Sequence, residues 1–312
     1  RCRGSGLFSG SPGPGLVSQC GHCAKKRQSG VSCNAIDQLS RETLMRIGFI
    51  GTGAMAQAIA RGAVASGVDP ATLVFSNRTA AKACDLADEL GATAASSNTS
   101  LARQVDIIIL AVKPKDQRTV IKEIASIVVG RPDACVVSLA AGRTLDQITQ
   151  DFGSGIPLIR VMPNVAATVG QSMTALTACR TSDAQVDAVR DLMNSVGRTI
   201  LIDEDYFPVF QALASCSPAW YFQIIDTFAR AGLKYGLSKD SAVEIAAQAM
   251  AGAATLLLAE REAGTIPAQL IDRVTSPGGT TIAGLLAAEE GGLSNALVGA
   301  VDASIHADSH LG

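Results

Sequence analysis

The sequence predicts an α/β protein in which an N-terminal doubly wound sheet precedes an all-helical domain. Three observations predict it. A short apolar segment, Arg46 to Ile50, runs into Gly51-Thr52-Gly53-Ala54-Met55-Ala56 and then into a helical pattern. Continuous apolar runs of strand length recur as far as Ile202, separated by helical stretches. After Asp203-Glu204-Asp205 the strand pattern stops and only helix-like stretches remain.

The chain has 312 residues, enough for two domains with sizeable cores. A net charge of −2 gives no general attraction for nucleic acid. Charged residues make up 17% and hydrophobic residues 47%, against about 25% charged in an average globular protein. Few charges and many small apolar residues predict extensive helix–helix burial, including a subunit interface. No membrane span is expected. The best stretch, Ile245 to Ala259, is interrupted by Gln248 and flanked by Glu244 and Glu260, and it falls short of the roughly 20 residues a span needs.

Residues 1 to 44 differ from the rest. They are rich in Gly, Ser and Pro, hold four of the eight cysteines and have no acidic residue before Asp37. They read as an unstructured extension, with Met45 as a natural start. Cys20-Gly21-His22-Cys23 has the spacing of thiol oxidoreductases, and Cys33 would extend it towards a zinc set. No strand precedes it, so neither role is expected. The other four cysteines are dispersed and read as buried free thiols in a reducing, cytoplasmic setting.

The 51–56 stretch is a G-x-G-x-x-A fingerprint in its required place, after a strand and before a helix reaching about Ser66. Its glycines let the backbone approach a pyrophosphate, which then sits on the helix N-terminus. This predicts a Rossmann-type dinucleotide domain, with Gly51, Gly53, Ala54 and Met55 at the cofactor. The second strand, Thr72 to Phe75, ends in Ser76-Asn77-Arg78 rather than in a carboxylate. Nothing there repels a 2′-phosphate and Arg78 can pair with one. NADP(H) is therefore expected ahead of NAD(H).

A helix is expected over 80–90, a strand over 106–112, a helix over 117–128 and a strand over 134–139. Further strands are expected over 158–162 and 198–202, with a helix over 183–196 between them. Lys113-Pro114 follows the 106–112 strand, where open α/β sheets bind ligands. Lys113 could meet cofactor phosphate or a substrate carboxylate. Ala140-Ala141-Gly142 offers small residues beside which a nicotinamide fits.

Beyond Asp205, Phe207 to Lys234 reads as one long helix with a possible kink at Ser217-Pro218. Ser238 should cap a second helix to about Ala263. Next comes Asp272-Arg273-Val274-Thr275-Ser276-Pro277-Gly278-Gly279-Thr280-Thr281. The Pro-Gly-Gly turn leads into a helix to about Glu290, with Thr280 or Thr281 as its cap. The first amides of that helix can hold a carboxylate, and the threonine hydroxyls add neutral donors. A last helix runs from about Ser294 to His306. Helices apolar on several faces predict a dimer of intertwined helical domains.

All three histidines, at 22, 306 and 310, lie outside the nucleotide domain. His306 and His310 have a metal-compatible spacing but read as a frayed tail, and no metal is expected. A dehydrogenase acting on an alcohol commonly uses a His or Lys base. A protonated C=N substrate needs less: hydride geometry, a carboxylate clamp and a hydroxyl near the ring nitrogen.

From Met45 onward the chain resembles pyrroline-5-carboxylate reductases. The matching stretches are Ile47 to Met55, Ala111-Val112-Lys113-Pro114, Val161-Met162-Pro163-Asn164 and Val274 to Leu285. The resemblance covers residues 45 to 312. It implies a Rossmann domain over 45–204 and a helical dimerisation and substrate domain over 205–312. It also implies an active site shared between partners, and dimers assembling to a decamer. By resemblance, Gly51 to Met55, Ser76 to Arg78, Asn98 and Ala111 to Pro114 bind NAD(P)H. Ser276, Gly278, Gly279, Thr280 and Thr281 bind the substrate carboxylate, Thr281 lies at the imine nitrogen, and Glu260 matches a glutamate near that nitrogen.

Three departures from the family pattern stand out. Ala214-Ser215-Cys216-Ser217-Pro218-Ala219-Trp220 replaces a Ser-Gly-Ser-Gly-Pro-Ala-Tyr run, Val165-Ala166 replaces Thr-Pro, and Gln171 replaces a glutamate. The expected activity is NADPH-dependent reduction of 1-pyrroline-5-carboxylate to L-proline. Reduction of another cyclic imino acid and a non-catalytic NADP-binding role remain open. The lysine motif of the β-hydroxyacid dehydrogenases is not found around Lys234 or Lys239.

Overall fold

The computed structural model describes residues 45–308. The expectations for residues 1 to 44, for the cysteines at 20, 23 and 33, and for His310 lie outside the described residues.

Eight strands form one sheet in the order β3-β2-β1-β4-β5-β6-β7-β8. They are β1 Ile47–Ile50, β2 Leu73–Ser76, β3 Thr93–Ala94, β4 Ile107–Leu110, β5 Cys135–Ser138, β6 Leu158–Met162, β7 Ser172–Cys179 and β8 Gly197–Leu201. The first six are parallel, β7 runs antiparallel to β6, and β8 is parallel to β7. The nucleotide half is thus a Rossmann sheet with a two-strand extension. Two strands were not anticipated. β3 has only two residues, and β7 (SMTALTAC) mixes polar and small residues without a continuous apolar run.

The central strands are buried on both faces, as their unbroken apolar sequences require. Alternate residues serve two cores. Phe49, Phe75, Ile109 and Val137 pack with helices α1 Ala54–Ala65, α2 Ala80–Leu90 and α6 Asp183–Asn194. Ile50, Val74, Ile108 and Val136 pack with α3 Asn98–Gln104, α4 Pro114–Val129 and α5 Leu145–Phe152.

The helical half contains α7 Phe207–Phe210, α8 Ser217–Lys234, α9 Lys239–Glu260, α10 Pro267–Val274, α11 Thr280–Glu290 and α12 Leu293–Asp308. The irregularity anticipated at Ser217-Pro218 lies earlier. Residues Gln211–Cys216 form a π-helical turn, and Pro218 sits in the first turn of α8, where its missing N–H costs nothing. Ser238 caps α9 as expected, accepting from Ser241 N. His306 lies within α12 rather than in a frayed tail. Phe207, Phe210 and Ala214 pack on Met162 and Ala175 and join this half to the sheet.

The length argument against a membrane span is corrected. Helix extends over Lys239–Ala263, 25 residues with an 18-residue window of mean hydropathy 1.6, long and apolar enough to cross a membrane by length and composition. The apolar run weighed as a span stopped at Glu244 and Glu260, whereas the helix, as expected from Ser238 to about Ala263, continues through them. Most of its surface is exposed in the single chain.

Candidate active site

The first part of the site lies where the parallel strands end. Gly51 follows β1 with φ +100°, a conformation that disfavours any side chain. A Cβ there would lie 2.8 Å from the Ala111 carbonyl oxygen. The Gly51 N–H donates to the Ser76 carbonyl at 2.7 Å, which locks the turn to the end of β2. Thr52 N donates to Asn77 Oδ1 at 3.3 Å, and Gln57 Nε2 donates to the Thr52 carbonyl at 3.0 Å. Gly53 is the extended N-cap of α1, with open space where a Cβ would stand. No side chain caps α1 and its first turn has no acidic residue. Its free amides and the exposed Gly53 and Ala54 therefore suit an anionic group. Thr52 Oγ1 is buried without a protein partner, a further polar atom within this turn.

At the end of β2, Ser76 is buried, Asn77 half-buried and Arg78 exposed. Asn77 Nδ2 donates to the Thr79 carbonyl at 3.1 Å. Ser76 Oγ donates to Asn98 Oδ1 at 2.8 Å, which brings Asn98 into the cluster. Ala111 and Val112 follow β4 half-buried. Lys113 is the exposed N-cap of α4, with Pro114 as its first residue.

The neighbouring loop after β5 is held from below by residues the sequence reading missed. Buried Ser138 accepts from Gln117 Nε2 at 2.7 Å and from Ala140 N at 3.3 Å. Gly142, with φ +72°, turns the chain towards α5. Arg143 and Arg118 both pair with Asp151 in α5. Burial alone would raise the Asp151 carboxyl, but hydrogen bonds from Arg143 and Arg118 outweigh it and hold the group below the ordinary aspartate range. A polar residue at a helix position seldom signals such a strut, so Gln117 gave no warning in sequence.

The second part is the Pro-Gly-Gly-Thr-Thr turn. Gly278 has φ +70°, and Gly279 N donates to the Ser276 carbonyl at 2.9 Å. A Cβ on Gly279 would lie 2.4 Å from Ser276 Oγ. The expected threonine cap is corrected: Gly279 is the N-cap of α11, without a side-chain cap bond. Thr280 and Thr281 occupy the first turn, exposed, so their hydroxyls are not spent on capping. Glu260 ends α9 and accepts from Arg273 at 2.6 Å and Thr265 at 3.2 Å. The hydrogen bond from Arg273 keeps its carboxyl below the ordinary glutamate range.

The fold brings the strand-end residues into one cluster but leaves the 276–281 turn apart from it. Among the described residues, no hydrogen bond joins that turn to residues 51–55, 76–78, 98, 111–114 or 140–142. Asn164 links the sheet to the helical half. Its Nδ2 donates to the Ala214 carbonyl in the π-helical turn at 2.8 Å, and its Oδ1 accepts from Ala166 N at 3.1 Å. In the departing run, Ser217 Oγ donates to the Leu213 carbonyl at 2.6 Å, while Ser215 Oγ is buried without a protein partner. Among the described residues, no group of three or more His, Cys, Asp or Glu is placed to hold a metal ion.

Two family models match the chain. One described as pyrroline-5-carboxylate reductase dimerisation covers residues 204–311. One described as NADP oxidoreductase coenzyme F420-dependent covers residues 46–142. A pyrroline-5-carboxylate reductase of Escherichia coli (strain K12) is 38% identical over 259 residues, 82% of this chain and 94% of that protein. The structure of a pyrroline-5-carboxylate reductase from Coxiella burnetii superposes with a TM-score of 0.82 at 31% identity, covering 86% of this chain and 98% of the other. The Plasmodium falciparum pyrroline carboxylate reductase with NADP bound gives 0.73 at 26% identity, over 86% and 98%. With the dinucleotide turn, the Pro-Gly-Gly-Thr-Thr turn and near full-length similarity together, the chain belongs to the pyrroline-5-carboxylate reductase family.

Proposed function

We infer that this chain reduces 1-pyrroline-5-carboxylate to L-proline with NADPH. The observation that carries the reading is the pair of prepared turns: the uncapped Gly53 terminus of α1 and the uncapped Gly279 terminus of α11. One suits a pyrophosphate, the other a small carboxylate. Gly51, Gly53, Ala54 and Met55 would hold the pyrophosphate. Ser76, Asn77, Arg78 and Asn98 would take the adenosine side, and Ala111 to Pro114 with Ala140 and Gly142 the remainder. The cofactor supplies the hydride for the imine carbon.

On the substrate side, the amides of Gly278 to Thr281 and the Ser276 hydroxyl would fix the carboxylate. The Thr281 hydroxyl would sit at the ring nitrogen and steady its proton as the nitrogen becomes an amine. Glu260, already ion-paired with Arg273, stays charged and favours a cationic iminium nearby. No His or Lys base is required, because the product nitrogen keeps its proton.

The proposed domain boundary lies between residues 204 and 205. The helical half would form a homodimer through its exposed apolar helices, and dimers would assemble to a decamer. A second copy would bring its 276–281 turn to the strand ends, with which the same chain's turn shares no hydrogen bond among the described residues. The chain would work in the cytoplasm; Cys84, Cys135, Cys179 and Cys216 are free thiols that fit a reducing setting, although only Cys135 is buried as expected, Cys84 being exposed and the other two half-buried.

The test is NADPH oxidation followed by absorbance with 1-pyrroline-5-carboxylate, with proline identified as product. Rapid oxidation supports the reading. NADPH bound but not oxidised would favour another cyclic imino acid or a non-catalytic role, and Ser215 and Ser217 would then be reverted to glycine first.

A further inference from the structure

A three-residue hydrogen-bond relay beside the dinucleotide turn is not used by any step above. Ser76 Oγ donates to Asn98 Oδ1 at 2.8 Å, and Asn98 Nδ2 donates to Glu123 Oε2 at 2.7 Å. Glu123 belongs to α4, on the far side of Asn98 from Ser76. The direction of the relay is fixed from its outer end. An ionised carboxylate only accepts, so the Asn98 amide nitrogen must face Glu123. That leaves the Asn98 carbonyl oxygen for Ser76. The Ser76 hydroxyl has one proton, and the bond to Asn98 uses it. Lone pairs are all that Ser76 Oγ can still offer. Ser76 is only 3% exposed and its carbonyl holds Gly51 N–H, so this hydroxyl lies beside the phosphate-binding turn and not out in solvent.

We propose that Glu123 is a positioning residue for cofactor choice, setting Ser76 as an acceptor suited to a ribose hydroxyl and unsuited to a 2′-phosphate. The inference rests on reading Ser76 and Asn98 as dinucleotide-binding residues. The adenosine ribose 2′-hydroxyl, free in NADH and esterified in NADPH, can donate to the Ser76 lone pair. A phosphate dianion cannot, and must find its donors farther along the chain. Exposed Arg78 is the nearest fixed charge in sequence. The relay therefore gives NADH a contact that NADPH lacks, and it moderates a preference that Arg78 sets. Without Glu123 the Asn98 amide is free to turn over. Its nitrogen can then donate to Ser76, whose proton is released towards the phosphate.

The test is direct titration of NADPH and NADH binding, read by nicotinamide fluorescence on the full chain. Compared are the wild type, Glu123→Ala, Glu123→Gln, Ser76→Ala and the Ser76→Ala/Glu123→Ala double variant. Glu123→Ala should weaken NADH about fivefold, the worth of one neutral hydrogen bond, with NADPH unchanged or tighter. The ratio of the two Kd values then rises about fivefold. Ser76→Ala should weaken NADH similarly, and the double variant should add little, as expected for residues in one relay. Glu123→Gln removes the charge but keeps an acceptor, so it should retain most of the wild-type ratio. An equal loss for both dinucleotides, or an unchanged ratio, would overturn the proposal. So would a Gln variant that shifts as far as Ala, since charge and not hydrogen-bond direction would then be responsible. A wild-type protein that binds neither dinucleotide overturns the dinucleotide reading and the proposal with it.

Discussion

The nucleotide half and the helical half of this chain solve burial in opposite ways. Around the sheet, every central strand is buried on both faces and the two cores are filled by residues of the same half. From residue 239 to residue 308, Ala242 is the one described residue that is fully buried. Leu256, Leu258, Leu286 and Val298 remain exposed there. The first half is complete as a single chain. The second exposes more apolar surface than a monomer ordinarily tolerates, and its match to a dimerisation family model names the remedy. The same asymmetry divides the site. The proposed dinucleotide residues share hydrogen bonds within one chain, whereas among the described residues none joins them to the Pro-Gly-Gly-Thr-Thr turn.

The largest effect should come from breaking that dependence. Leu256→Glu places a charge on the exposed apolar face of α9. Dimers should be lost in sedimentation, and turnover with them, while NADPH titration stays close to wild type. A dimeric, active variant would remove α9 from the interface; lost NADPH binding would show that the nucleotide half is not self-sufficient.

A smaller effect separates the two parts of the site without touching assembly. Thr281→Ala should lower kcat by about 10²-fold, in the range of a positioned hydroxyl acting on a proton. Dimer formation and NADPH affinity should be unchanged. Unaltered kcat would take Thr281 out of the chemistry.

The smallest concerns the contact between the halves. Asn164→Ala deletes the bond to the Ala214 carbonyl and the cap on Ala166 N. It should cost about 1–3 kcal/mol in urea denaturation, because a buried carbonyl loses its donor. A cost below about 0.5 kcal/mol, typical of a surface change, would mean that the π-helical turn is held by packing alone.

The legible parts of the molecule were those whose chemistry is local. Gly51 announces a strand–turn–helix because few other residues fit a positive φ and a close carbonyl. Mostly apolar runs announced β1, β2, β4, β5 and β6, and Ser238 announced α9. The charges at Glu244 and Glu260 did not mislead the helix boundary, only the length of the apolar run weighed as a membrane span. A cap was assigned to threonine where Gly279 supplies it, because the first helical φ/ψ is set by the turn and not by the nearest hydroxyl.

Sequence alone therefore determined the doubly wound fold class, the dinucleotide turn, the absence of a carboxylate after β2 and the family to which the chain belongs. Tertiary structure decided what depends on distant residues meeting. It paired β7 with β6 in the opposite direction, set Gln117 under Ser138, and placed Glu123 behind Asn98. It put the irregular turn at Gln211–Cys216, where Asn164 reaches it from the sheet. Hydrogen-bond direction and register belong to pairs of residues brought together by packing, and neither partner's identity carries them on its own.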